Sequence, residues 1–108
     1  FLTESHSNIP PKIIQTSARY ILGVIQETIQ LPCITQGYPR PDFSWFKINN
    51  KALDKIISQN YGSRFLQIDG SLIIKQATIS DSGKYVCISN NSVGQDKAET
   101  ELLVRGLF

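Results

Sequence analysis

The chain has 108 residues, of which 41% are hydrophobic and 19% charged, and a formal net charge of +2. That length suits one domain with one core, and the composition is globular rather than disordered. The 11 basic residues form no run or stripe, which argues against nucleic acid as a partner, and no apolar stretch approaches the ~20 residues needed to span a bilayer. Two cysteines and one histidine cannot complete a structural zinc site, and the histidine, His6, lies in a polar tail where a solvated role is the default. No Gly-rich loop opens a helix and no nucleophile has a base nearby, so the reading is a noncatalytic chain without a cofactor. Methionine is absent, which fits a chain processed or cut from something longer.

In chain order, residues 1–8 are polar and unpatterned and read as a linker from a preceding domain. Pro10-Pro11 forces extended backbone at an edge strand or its lead-in. The segment from Ile13 to Ile25 is apolar at both ends and carries one charge, Arg19, between Ile13 and Leu22. One reading is a strand that switches sheets midway; the other is an edge that pairs with a second copy. From Glu27 to Ile34 the chain alternates, with Ile29, Leu31 and Cys33 on one face. Residues 36–41 are turn chemistry, followed by a strand around Trp45 and a turn at Asn49-Asn50-Lys51. Residues 54–63 read as a long surface connection. Arg64 to Ile68 and Ser71 to Lys75 flank Asp69-Gly70, a hairpin signal, and Leu72 and Ile74 share a face. After a turn at residues 80–83, Tyr85, Cys87 and Ser89 alternate against Lys84, Val86 and Ile88. A turn at residues 91–95 leads to a last strand, Ala98 to Val104, with Leu102 and Val104 inward. Residues 105–108 read as the next linker. At least seven short strands and no helix predict an all-β sandwich.

Cys33, Trp45 and Cys87 carry the fold argument. Trp45 follows Cys33 by 12 residues and Cys87 follows it by 54. Inward cysteines on strands of opposite sheets can bridge the core, with Trp45 packed against the sulfurs. A hydroxyl on Tyr85 can bond back to upstream backbone and pin the corner before the penultimate strand. Closing a loop of this length stabilises a fold by ~4 kcal/mol on the chain-entropy model.

These residues resemble the I-set of the immunoglobulin superfamily over residues 9–104. The supporting stretches are Gly37-Tyr38-Pro39-Arg40-Pro41 before Trp45, Gly70-Ser71-Leu72-Ile73-Ile74, Asp81-Ser82-Gly83-Lys84-Tyr85-Val86-Cys87 and Asn91-Ser92-Val93-Gly94. The resemblance implies an immunoglobulin-like β-sandwich of two antiparallel sheets with an inter-sheet Cys33–Cys87 disulfide, a core around Trp45, Leu72 and Tyr85, and an Arg64–Asp81 salt bridge. The family also places a glycine seven residues before the first cysteine. Here that position is Gln26, with Gly23 nearby, which leaves two registers open for residues 16–26.

I-set domains occur both outside cells and in intracellular muscle proteins, where the equivalent thiols stay reduced. Asn90-Asn91-Ser92 satisfies the N-glycosylation pattern, and Asn90 alternates outward from Cys87. With the polar flanks, this favours an extracellular module. The stretches around Gly70, Asp81 and Asn90, together with Ala98 to Val104, are also similar to an N-terminal immunoglobulin domain of arthropod Dscam-family adhesion molecules. That resemblance implies homophilic protein recognition by a single-pass cell-surface parent used in neuronal wiring, with isoforms that vary in the first half of certain domains. Geometry then nominates Gln15, Thr16, Ser17, Ala18, Arg19, Tyr20 and Ile21 as the recognition strand. The rival functions are a ligand-binding domain of a receptor ectodomain and a spacer in a muscle filament.

Overall fold

A computed structural model describes residues 7–56 and 63–106. His6, most of the 1–8 linker, the middle of the 54–63 connection and the end of the 105–108 linker lie outside the described residues. Among the described residues, ten strands form two layers. One layer holds β1 (Ile9–Thr16) on β4 (Cys33–Tyr38), and β3 (Ile29–Leu31) on β8 (Ser71–Ile74) on β7 (Phe65–Ile68). Pro32 alone separates β3 from β4; it has no N–H for the ladder, so one long strand counts as two. The other layer is the five-stranded sheet β2-β10-β9-β5-β6, built from Tyr20–Val24, Gly94–Arg105, Gly83–Asn91, Asp42–Asn49 and Ala52–Lys55.

Turn chemistry sets the hairpins. Asp69 and Gly70 have φ of 49° and 88° in the two-residue loop between β7 and β8. Asn50 and Lys51, at 50° and 68°, make a similar loop between β5 and β6. Positive φ at both central residues matches the twist of the flanking strands. Gly70 also sits where an added Cβ would collide with the Cys33 carbonyl oxygen.

The Ile13–Ile25 segment changes layers. β1 pairs antiparallel with β4, residues 17–19 cross over, and β2 runs parallel to β10 with Leu22 opposite Leu103. That parallel pair is the exception in an otherwise antiparallel ladder. Gly23 lies inside β2, where a Cβ would come within 2.5 Å of Ile29 Cδ1, and the turn stays at Gln26 with φ 71°. The register is therefore unshifted, with a glutamine in the left-handed conformation.

The core fills from both layers. Leu31 and Cys33 face Trp45, Tyr85 and Cys87, with Leu72, Ile74, Leu102 and Val104 closing the ends. Two departures from the pattern reading stand out. The start of the supposed surface connection is strand β6, and Ile56 beyond it is buried, its N–H donating to the Trp45 carbonyl at 2.9 Å. The turn before β9 is a single 3₁₀ turn, Ile79–Asp81.

Candidate functional site

Two regions of the sandwich carry the nominated residues. The first is the pinned corner. Cys33 and Cys87 are joined, with Cα atoms 6.6 Å apart. Trp45 is 1% exposed, pairs with Cys87 across the ladder, and donates from its indole N–H to the Gly70 carbonyl at 2.9 Å. Leu72 is buried beside them, and the hydroxyl of Tyr85, also buried, donates to the Asp81 carbonyl. Arg64 grips Asp81 with both guanidinium nitrogens at 3.0 Å. Nη1 of Arg64 also donates to the carbonyls of Lys75 and Gln76, and the guanidinium lies 5.3 Å from the Phe65 ring centre.

Burial alone would raise the Asp81 pKa. The hydrogen bond from Arg64, the Thr78 backbone N–H at 2.8 Å and the Arg64 charge outweigh it, and hold the carboxyl below its ordinary value. Lys47 has its pKa lowered by burial, partly offset by Asp81; it reaches the Ser80 carbonyl at 2.8 Å and lies 5.7 Å from the Tyr85 ring centre. Neither Lys47 nor the Gly70 carbonyl stood out in the sequence. The Asp69-Gly70 turn was a visible signal for the latter.

The second region is the β1–β2 edge. Gln15 and Thr16 end β1, opposite Ile34 and Cys33. Ser17, Ala18 and Arg19 form the crossover, and Tyr20 and Ile21 begin β2. The seven nominated residues thus divide between two layers. β10 ties down the crossover: Ser17 Oγ lies 2.7 Å from Thr100 Oγ1, Thr100 Oγ1 donates to the Ala18 carbonyl, and Glu101 N–H donates to the Arg19 carbonyl at 2.9 Å. β1 is stitched across the sandwich as well, because Ile13 N–H donates to the Asp96 carboxylate at 2.8 Å. Ile21 packs on the core while Tyr20 and Leu22 point out, 68% and 59% exposed, beside Leu103 at 53%. Arg19 lies over the Tyr20 ring at 6.0 Å. Tyr20, Leu22 and Leu103 share an open groove with Ser82 and Glu101.

β2 forms one side of the five-stranded sheet and, among the described residues, pairs only with β10. Tyr20–Val24 contains neither a charge nor a proline, the usual defences of an exposed sheet edge. Among the described residues, no group of three or more His, Cys, Asp or Glu is placed to hold a metal, and no helix is long and apolar enough to cross a membrane.

The immunoglobulin I-set domain family matches residues 11–104. The chain belongs to the immunoglobulin I-set family. It is 39% identical over 104 residues to the cell adhesion molecule Dscam1 of Drosophila melanogaster, which covers 95% of this chain and 5% of the relative. It is also 39% identical over 98 residues to mouse hemicentin-1, covering 91% of this chain and 2% of that protein. A solved Dscam structure concerned with isoform specificity superposes with a TM-score of 0.81 at 36% identity, covering 91% of this chain and 25% of that one. The I-set domain therefore spans a small fraction of the curated relatives it matches.

Proposed function

We propose that this I-set domain is a noncatalytic extracellular recognition module of a cell adhesion molecule and that it binds a second copy of the same protein. The observation that carries the reading is the undefended β2 edge, with Tyr20 and Leu22 exposed beside Leu103 and Arg19 at its start. Antiparallel pairing of β2 with its two-fold mate would extend the five-stranded sheet into a second copy. Main-chain hydrogen bonds would supply affinity, and side-chain register would supply specificity. Likeness to a cell adhesion molecule and the Cys33–Cys87 disulfide support a cell-surface setting, with a single-pass parent in neuronal recognition as the specific form. One such contact is weak, and linking modules in series raises its strength.

Sedimentation of the chain up to millimolar concentration tests the reading. A weak symmetric dimer is expected, reduced by Arg19→Glu and abolished by Leu22→Arg. A strict monomer at millimolar concentration, or self-association indifferent to both changes, overturns it.

A further inference from the structure

The outward face of the five-stranded sheet carries a second apolar cluster, separate from the β2 edge. On β9, Val86 and Ile88 fall between the inward Tyr85, Cys87 and Ser89; Val86 is itself buried and Ile88 half-buried. Val86 pairs with Phe46 and Ile48 with Leu53, and Val86, Ile88, Ile48 and Leu53 line a depression beside Lys97 and Glu99. At the end of the same outward row, two residues past Ile88, stands Asn90. Its ladder neighbours are Gln95 and Asp42, and all three are exposed.

The two adjacent asparagines have divided tasks. Asn91 is fully engaged: its Nδ2 donates to the Ile9 carbonyl at 2.8 Å and the Pro39 carbonyl at 3.0 Å, and its Oδ1 accepts from Val93 N–H. The Asn90 side chain makes no hydrogen bond among the described residues. Ser92, which completes the acceptor triplet, is exposed. One amide therefore holds β1, the Pro39 turn and the β9–β10 loop together, while its exposed neighbour has no partner for its nitrogen among the described residues.

We propose that Asn90 carries an N-linked glycan that closes the Ile88 end of this face to protein docking and leaves the β2 edge open. Ile88 lies about 7 Å and Val86 about 14 Å back along β9 from the attachment point, by strand rise. The sugars attached at Asn90 therefore stand beside the apolar depression, and a partner sheet stacking flat on that face would collide with them. The β2 edge escapes. Tyr20 lies in the row of Glu101 and Lys84, six residues down β9 from Asn90, or about 20 Å. The inference rests on the secretory setting of the proposed function and adds to it which part of the sheet stays available for recognition.

The test is to secrete the 108-residue chain from cultured human cells and measure intact mass before and after peptide N-glycosidase F. The expected result is a glycan-sized loss of mass, with peptide mapping showing aspartate in place of Asn90 after enzyme treatment. Asn90→Gln and Ser92→Ala should each remove the shift, whereas Asn91→Gln should keep it because the acceptor pattern survives. Secreted, disulfide-bonded chain without sugar at Asn90 overturns the proposal and spares the adhesion reading. Chain retained in the cell with two free thiols overturns both. The placement is tested on the glycosylated material by sedimentation: removing the sugar should change self-association by less than about twofold. A tenfold gain would show that the glycan obstructs the contact and would overturn the division of the face.

Discussion

The pinned corner and the β2 edge lie in one small sandwich and use apolar residues in opposite ways. At the corner, Trp45, Tyr85 and the disulfide are out of water, and their polar atoms have assigned partners at Gly70 and Asp81. At the edge, Tyr20 and Leu22 remain in water, on a strand that β10 bonds along one side. Burial with satisfied polar groups produces stability. An exposed apolar row on a held backbone contributes little to folding and is free to meet something else.

The sharpest way to break this contrast is Trp45→Ala, which should cost about 3–5 kcal/mol by leaving a cavity and removing the donor to the Gly70 carbonyl. Urea denaturation checks it, and a loss under about 1 kcal/mol would mean the corner is not the anchor. Asp81→Asn comes next, with about 2–3 kcal/mol lost at neutral pH as the Arg64 clamp is broken. The pH dependence has a definite sign. The Asp81 pKa is lowered in the folded state, so its contribution is complete above the unfolded carboxyl value of about 4. It is lost as pH falls from there through the depressed folded value. The stability difference between wild type and Asp81→Asn should therefore shrink with acidification over that window, and a difference that grows would contradict the clamp.

Gln26→Gly should stabilise the fold by about 0.5–1 kcal/mol, because φ of 71° suits glycine while glutamine pays a steric penalty there. Thermal melts resolve that gain. The smallest folding effect is expected at the edge: Leu22→Thr should move stability by no more than about 0.5 kcal/mol while lowering self-association. A loss of several kcal/mol at Leu22 would erase the contrast between the two regions.

The corner was legible in the sequence because a two-residue period forces a choice of face. Once Cys33 and Cys87 are inward, Ile29, Leu31, Tyr85 and Ser89 must follow. Asp69-Gly70 announced its hairpin for an equally local reason. Ile56 was hidden because one apolar residue beside polar neighbours breaks no period, although it fills the core next to Trp45. The change of layer at residues 17–19 was readable only as one of two options. What decides it is contact with partners 83 residues away, at Thr100 and Asp96, and no local pattern records those. Gln26 shows the limit from the other side. A missing glycine suggested a moved turn, but the Gln26 N–H bonded to the Ala77 carbonyl and the Ala77 N–H bonded to the Glu27 carbonyl hold the bend in place. The candidate recognition row was visible as an excess of apolar residues; its division between β1, the crossover and β2 was not.

The clip formed by Thr100 and Glu101 has an evolutionary corollary. It holds Ala18 and Arg19 through their carbonyl oxygens, which every amino acid possesses. Replacing the side chains at 18, 19, 20 and 22 would therefore alter what the surface displays without loosening the frame beneath it. Such a frame lets the displayed surface change while the scaffold beneath it stays the same.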